Sequence, residues 1–250
     1  MPRYDFHSPR LHVDAPLDAG ARVPVDAAQT NYLRNVLRLK PGDGVLVFNG
    51  RDGEWRTSLA EGGKRSATLL VAERTRAQTR ALDLHYLFAP LKHARLDYMV
   101  QKAVEMGASR LQPVFTRHVQ TARVNVERMR ANAIEAAEQC GILTLPEVAP
   151  PLPFDRVLAE RDATRLLVFC DEDAGVRDPI AALSAARAAN TPLAVLVGPE
   201  GGFSDDERAT LLGLPNVVRL ALGPRILRAD TAAIAALALV GAVLGDWRDG

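Results

Sequence analysis

Apolar residues in roughly the first seventy positions come in short runs separated by turn residues. These runs predict strands over residues 44–48, 54–59 and 67–72. Asn-Gly and Asp-Gly pairs between residues 49 and 53 close the first run as a hairpin, and a glycine pair at 62–63 precedes the third. Strands of this length and spacing predict a small β-barrel. A short basic helix is predicted ahead of them, over residues 30–39.

From residue 74 onward the pattern changes to strands that alternate with helices. Strands are predicted over residues 82–89, 111–115, 165–170, 193–197 and 217–221, and helices over residues 93–106, 126–140, 179–189, 205–212 and 231–244. The near-continuous apolar strands are typical of a parallel sheet covered on both faces, which predicts an α/β fold. Residues 72–81 lack apolar periodicity and predict a linker. We therefore expect a barrel over residues 1–73 and an α/β domain over residues 74–250.

Composition and cysteine usage exclude several classes of protein. The 250 residues are 48% hydrophobic and 24% charged, so disorder and collagen are excluded in favour of a folded chain. The two cysteines, Cys140 and Cys170, form no CxxC pair, which excludes a disulfide framework and a structural zinc site. The five histidines lie scattered, so no metal is expected. The longest apolar run, residues 231–245, is shorter than the roughly 20 residues of a membrane span and predicts a buried helix. The cysteine usage, and the acidic and aromatic residues among positions 1–6, lead us to expect a cytoplasmic protein.

The charges are distributed unevenly along the chain. Residues 74–130 carry 11 basic and 4 acidic side chains, whereas residues 131–250 carry 10 basic and 17 acidic ones. The basic segment is a candidate surface for an anionic partner, with Lys102 and Arg117 among its sources. The alternative is that it pairs with the acidic segment. The charge pattern alone leaves both open.

Two strand ends in the second region carry unusual loops. Residues 198–204 read GPEGGFS, and residues 223–230 read GPRILRAD. The three glycines of the first loop allow close approach of backbone to a ligand, and Ser204 and Glu207 form an S-x-x-E capping box for the next helix. The second loop enters an Ala-rich helix, with Asp230 as the predicted N-cap. Ligands bind at the carboxyl ends of strands in such sheets, so we favour a site here over two ordinary turns.

The common hydrolase and nucleotide-binding motifs are absent. No G-x-S-x-G elbow is present, and no G-x-G-x-x-G follows a strand. Residues 62–65 read GGKR and resemble the end of a phosphate-binding loop, but Ser58 stands where the first glycine is needed and Arg65 where serine or threonine is needed, so we interpret them as a turn.

Together the two loops resemble the signature of the bacterial 16S ribosomal RNA uracil-N3 methyltransferases, a family of the SPOUT superfamily. The resemblance extends through residues 36–43, 101–107 and 135–141. It implies a PUA-like RNA-binding barrel, an α/β domain with a deep trefoil knot, S-adenosylmethionine as cofactor, and a homodimer. Asn31, Ile142 and Asp230 depart from the family pattern, where histidine, arginine and glutamate are frequent.

The resemblance also implies which residues form the site. The cofactor-binding set is Leu196, Gly198, Glu200, Gly201, Gly202, Leu222, Gly223, Ile226 and Leu227. The catalytic set is Arg228, Arg225 and Glu200, and the RNA-binding set is Arg34, Arg38, Lys40, Lys102 and Arg117.

Methylation of uracil N3 requires loss of the imide proton and stabilisation of the resulting anion. A guanidinium stays charged and presents a planar fork of donors, so Arg228 and Arg225 are the candidates for this role. Glu200, Asp230 or water would accept the proton. The competing hypothesis for Arg228 is a surface pair with Asp230 or Glu207. For the whole chain, the alternatives are a non-catalytic ribosome assembly factor and a SPOUT enzyme acting on another base or on transfer RNA.

Overall fold

The computed structural model describes residues 5–61, 66–121, 123–175, 178–186 and 191–248. The chain divides into two compact units, one of residues 1–80 with 137–145 and one of residues 81–136 with 146–250. In the described part of the chain, no helix combines the length and apolar character that a membrane crossing needs. The glycine turn predicted at 62–63 lies outside the described residues.

The first unit is built on a five-stranded sheet. Its elements are β1 (Arg10–His12), β2 (Arg22–Val25), α1 (Ala27–Asn31), β3 (Gly44–Phe48), β4 (Glu54–Leu59) and β5 (Ala67–Arg76). The strand order is β1-β3-β4-β5-β2, with β1 parallel to β3 and the other neighbours antiparallel. β3 and β4 form the hairpin predicted from the turn pairs. Leu33, Val47 and Leu69 are buried in the hydrophobic core of this unit.

The predicted helix over residues 30–39 is wrong in its bounds and in its type. Helix α1 begins at Ala27, because Asp26 and Gln29 form a capping box that the apolar spacing does not reveal. The chain then forms a π-helical turn over Tyr32–Val36, and Arg38 adopts a left-handed φ of 57°. Strands β1 and β2 are missed because runs of three and four residues carry little periodicity.

A buried ion cluster explains why β5 continues into the predicted linker. The carboxylate of Glu54 lies 2.7 Å from Arg10 Nε and 2.6 Å from Arg76 Nη2, and its side chain is 3% exposed. Burial by itself would raise the pKa of Glu54, but hydrogen bonds from Arg76, Arg10 and Thr75 hold it below its ordinary value. Glu54 also pairs with Arg76 in strand register. The prediction that β5 ends at residue 72 is therefore wrong, since the strand runs to Arg76.

The second unit is a parallel sheet with helices between its strands, as the α/β prediction requires. Its elements are β6 (Leu84–Phe88), α2 (His93–Glu105), β7 (Arg110–Phe115), α3 (Val126–Cys140), β8 (Glu147–Val148), β9 (Leu152–Pro153), α4 (Phe154–Ala159), β10 (Leu166–Cys170), α5 (Pro179–Ala185), β11 (Leu193–Val197), α6 (Asp205–Leu212), β12 (Val217–Leu220) and α7 (Ala229–Val243). The last residues of α3 belong to the first unit. The short elements β8, β9 and α4 are absent from the sequence prediction.

The sheet has the order β12-β10-β11-β6-β7-β8, and β9 pairs with β7. Every described pair in it is parallel. Cys170, the last residue of β10, is in register with Val197 of β11 and Leu220 of β12. The carboxyl ends of these three strands are therefore level, and the loops that follow them meet at one edge of the sheet.

Candidate functional site

A cavity of about 710 Å³ opens where the loops after β10, β11 and β12 meet. This volume is within the range of small-molecule sites in proteins. Its lining comprises Cys170, Asp171, Glu172, Ala174, residues 197–203, residues 220–227, Ala229 and Ala232. The two loops that the sequence singled out form most of the wall. The strand ends, the loop after β10 and the first residues of α7 supply the rest.

Eight of the nine predicted cofactor-binding residues line this cavity, namely Gly198, Glu200, Gly201, Gly202, Leu222, Gly223, Ile226 and Leu227. Leu196 does not line it. The Leu196 side chain is buried with Phe169 and Phe203 in the core of the sheet, because alternate residues of a strand face opposite sides. Ile226 is 90% exposed, which is unusual for an apolar side chain and leaves it free to cover a ligand.

The loop glycines are required for different physical reasons. A Cβ on Gly198 would lie 3.1 Å from the Phe203 ring, and a Cβ on Gly201 would lie 3.2 Å from His118 Cβ. Gly202 has a φ of +67°, which L side chains rarely adopt, so its backbone conformation favours glycine whatever the position of the flexible Glu172 side chain beside it. Gly223 has a φ of +88° with nothing within 4 Å of a Cβ, so backbone conformation alone selects glycine at this position.

The predicted capping box fixes the end of the first loop. Ser204 Oγ accepts from the backbone N–H of Glu207, and the Glu207 carboxylate accepts from the backbone N–H of Ser204, at 2.9 Å. Glu207 is buried, and its other oxygen accepts the backbone N–H of Arg117 at 2.7 Å. A single carboxylate thus starts helix α6 and joins it to the loop after β7.

The two predicted catalytic arginines occupy different positions. Arg225 is exposed and lines the cavity, whereas Arg228 lies outside the lining. Arg228 is the N-cap residue of α7 and makes no side-chain capping bond. The prediction that Asp230 is the N-cap is wrong. Helix α7 begins one residue before Asp230, whose carboxylate accepts the N–H of Thr231 within the first turn.

The carboxylates near the arginines already have partners. Glu207 is held by the two backbone N–H groups described above, and Asp230 by Thr231. The carboxylate of Glu200 is half exposed, lines the cavity and lies 3.6 Å from Arg95 Nη1. Glu200 is therefore the one predicted catalytic carboxylate that reaches the cavity.

Asp171 is a residue of the site that sequence reasoning misses. It follows β10, and its side chain is fully buried. Its Oδ2 lies 2.9 Å from Arg208 Nε and 2.8 Å from Arg219 Nε. Burial alone would raise the pKa of Asp171, but these hydrogen bonds hold it below the ordinary value. An aspartate just after a buried strand is the only sequence signal for this role.

Arg208 also pairs with the acidic residues that surround Asp171. The side chains of Asp171, Glu172 and Asp173 bring oxygens within 4.8 Å of one another, a spacing that suits metal ligands. Arg208 pairs with all three of these carboxylates and, with Arg219 on Asp171, offsets part of their negative charge. The neighbouring Cys170 thiol has its pKa raised to about 12 by burial and by Asp171, so it stays protonated and is a poor nucleophile.

The predicted RNA-binding residues lie in both units. In the first unit, Lys40 is exposed, while Nε and Nη2 of Arg34 are buried without a hydrogen-bond partner in the described chain. Val36 is 61% exposed on the same π-helical turn. In the second unit, Arg117 is exposed, and Lys102 pairs with Glu105 at 2.7 Å.

Comparison with known proteins gives a consistent set of relatives. Residues 78–241 match the model of an RNA methyltransferase domain, and residues 25–72 match an RNA methyltransferase PUA domain. "Ribosomal RNA small subunit methyltransferase E" from Rickettsia conorii is 31% identical over 92% of this chain and 94% of its own length. The protein of that name from Mycobacterium bovis is 30% identical over 95% of this chain and 92% of its length.

Two solved structures share the whole architecture. One is a ribosomal RNA small subunit methyltransferase E from Neisseria gonorrhoeae bound to S-adenosyl methionine. It has a TM-score of 0.85 and 26% identity, covering 96% of this chain and 100% of that one. The other is a putative methyltransferase from Legionella pneumophila in complex with the same cofactor, with a TM-score of 0.79 and 26% identity over 96% and 99% of the chains.

Proposed function

Because the chain belongs to the RNA methyltransferase family, we propose that it transfers the methyl group of S-adenosylmethionine to N3 of a uridine in 16S ribosomal RNA. The observation that carries this proposal is the cavity at the ends of β10, β11 and β12, walled by both motif loops. Support comes from the Rickettsia conorii relative and from the cofactor-bound Neisseria gonorrhoeae structure.

The residues around the cavity fit such a cofactor. Backbone at Gly198, Gly201 and Gly223 would face it closely, and Leu222, Ile226 and Leu227 would cover its apolar parts. Glu172 and Glu200 place negative charge on the wall, which suits a ligand that carries a positive sulfonium. When bound, the cofactor supplies an electrophilic methyl group. The protein's task is to hold the acceptor nitrogen in line with it.

The acceptor nitrogen needs help to lose its proton. A guanidinium beside the uracil oxygens stabilises the anion that remains, because it stays charged and donates from a rigid plane. Arg228 is assigned to the uracil edge, since it adjoins the cavity-lining loop and stands at the N-terminus of α7, whose partial positive charge adds to its own. Arg225, on the wall, is the second candidate. Glu200 or water takes the proton, and Asp230 is disfavoured because Thr231 holds its carboxylate.

RNA binding and assembly use surfaces outside the cavity. The RNA backbone is bound by basic side chains of both units, namely Arg34, Arg38 and Lys40 of the first and Lys102 and Arg117 of the second.

Two chains form a homodimer through α7, on which the apolar Ile234, Ala238 and Leu239 are only half buried. The α/β domain carries the trefoil knot of the SPOUT superfamily.

The reaction takes place in the cytoplasm, because its substrate is the RNA of the small ribosomal subunit, which is assembled there.

The proposed function is tested on the RNA itself. Ribosomal RNA is isolated from cells with and without the protein, and its nucleosides are mapped by mass spectrometry. We expect one N3-methyluridine in 16S RNA to disappear with the protein and to return with the wild-type chain. A missing methyl group on another base or on transfer RNA would support a different methyltransferase. No missing methyl group would support a non-catalytic assembly factor.

The assignment of Arg228 has a separate test. Arg228→Lys keeps the charge but loses the planar fork, so single-turnover methylation falls by about a hundredfold, as for loss of an oxyanion-hole donor. Cofactor affinity, measured by calorimetry, stays near that of the wild type. Arg225→Lys is the matched comparison on the cavity wall. If only Arg225→Lys lowers the rate, the uracil edge belongs to Arg225.

A further inference from the structure

The loop after β7 makes a direct contact with the glycine loop after β11. His118 Nδ1 lies 3.1 Å from the carbonyl oxygen of Gly201 and 3.3 Å from that of Gly202. The preceding residue, Arg117, donates its backbone N–H to Glu207, so the contact has a second anchor one residue away. His118 is exposed and does not line the cavity. His118 therefore contacts the glycine loop from outside the cavity.

The two loops also approach each other closely at Gly201 and the Cβ of His118. A Cβ on Gly201 would lie 3.2 Å from His118 Cβ, which is tighter than ordinary van der Waals contact. The absence of a side chain at Gly201 is thus what allows the imidazole to reach both carbonyl groups. Gly201 serves the contact with His118 in addition to any contact with a ligand.

The chemistry of the partners fixes where the imidazole proton lies. Both carbonyl oxygens can only accept hydrogen bonds, so Nδ1 is the donor and carries the proton. In the neutral ring this leaves Nε2 without a proton, and in the imidazolium both nitrogens are protonated. Nδ1–H is available to the loop in either form.

We propose that His118 is a positioning residue for the cofactor loop. Its Nδ1–H holds the Gly201 and Gly202 carbonyl groups in the orientation that shapes the cavity wall. Glycine loses more conformational freedom on ordering than any other residue, so a loop with three glycines binds a ligand weakly unless something orders it beforehand. Because His118 orders the loop in the free protein, this cost is met before the ligand arrives. This inference rests on the proposed cofactor site.

Two amide substitutions separate the hydrogen bond from the bulk of the ring. In His118→Asn, the side-chain amide nitrogen is the same number of bonds from Cα as Nδ1, so it reaches the carbonyl groups. In His118→Gln, the nitrogen is one bond further out, at the place of Nε2. His118→Ala removes both. All three are made in the full chain, and S-adenosylmethionine affinity is measured by titration calorimetry.

We expect His118→Asn to bind S-adenosylmethionine within about twofold of the wild type. His118→Gln and His118→Ala bind about fivefold to tenfold more weakly, the amount that corresponds to a typical net hydrogen bond. In steady-state assays, KM for the cofactor rises in His118→Gln and His118→Ala, whereas kcat stays near the wild-type value in all three variants. Thermal unfolding of the free proteins changes little, because the side chain is exposed.

The outcomes distinguish this inference from the proposed function. Equal affinity in the wild type and all three variants overturns the role of His118 alone. The same follows if His118→Asn binds as weakly as His118→Ala, or if kcat falls with KM unchanged. Absence of binding by the wild-type chain overturns the cofactor site and the role of His118 with it.

Discussion

Replacement of Asp171 by asparagine tests the ion cluster that positions the end of β10. The substitution keeps the shape of the side chain and removes its charge. Arg208 remains paired with Asp173 at 3.2 Å and with Asp205 at 3.2 Å, whereas Arg219 is deprived of the carboxylate 2.8 Å away. Both arginines therefore lose the Asp171 carboxylate, but Arg208 keeps other carboxylate partners, and Arg219 has no second carboxylate among the described residues.

The magnitude follows from the burial of the partners. A hydrogen bond to a charged group contributes about 1.5–3 kcal/mol, and removal of one member of a buried ion pair costs about 3–5 kcal/mol. Arg219 is 26% exposed and regains some hydration, which places Asp171→Asn near the lower figure, at about 2 kcal/mol. For a chain of this size that lowers Tm by about 4–8 °C.

The pH dependence of this effect has a definite sign. The pKa of Asp171 lies below its ordinary value of 3.8 in the folded protein. Its contribution to the free energy of unfolding is therefore fully present above about pH 3.8 and disappears as the pH falls through the lowered pKa. Asparagine does not titrate, so the difference in stability between wild type and Asp171→Asn narrows below pH 3.8.

Thermal unfolding followed by circular dichroism at a series of pH values measures both effects. Asp173→Asn is the matched control, because Asp173 also pairs with Arg208 but its side chain is 67% exposed. Such an exposed pair contributes under about 1 kcal/mol. Equal decreases in stability in the two variants at neutral pH, or a difference that does not narrow in acid, would refute the reasoning.

Three further predictions concern the loops, the RNA and the assembly. Gly202→Ala puts a side chain at a left-handed φ of +67° and strains the loop, so calorimetry should show S-adenosylmethionine bound about tenfold more weakly, which is about 1.4 kcal/mol. Gly175→Ala, whose Cβ would lie in open space, is the control and binds normally. The double variant Arg34→Ala, Arg38→Ala lowers the slope of log K against log salt concentration for RNA binding by about 0.7–0.9 for each phosphate group that the protein no longer neutralises. Arg156→Ala is the control and leaves this slope unchanged, because the Arg156 side chain pairs with Glu160. Light scattering at micromolar concentration gives the wild-type protein a mass of twice the 27.1 kDa of one chain, and Ile234→Asp lowers the measured mass to that of one chain. A measured mass of 27.1 kDa for the wild type contradicts the dimer.

The sequence by itself determined the local elements and the identity of the loops. Strands β3, β4 and β11 and helices α3 and α6 have the bounds that the sequence predicts, because turn or cap residues bound each of them. The Ser204–Glu207 capping box needs only residues three apart. The paired glycine motifs identify the loops by local pattern alone. Such features depend on near neighbours in the chain, which the sequence displays directly.

Tertiary structure decided how distant residues meet. Leu196 faces the core although it adjoins the loop, Asp171 pairs with Arg208 and Arg219, and His118 reaches Gly201 across 83 positions. Glu54 with Arg10 and Arg76 extends β5 beyond its apolar run. Each of these results depends on which strands are neighbours in a sheet and in which register they align. Hydrophobic periodicity identifies the buried face of an element but carries no information on its partner, so the level strand ends that form the cavity could be seen only in the fold.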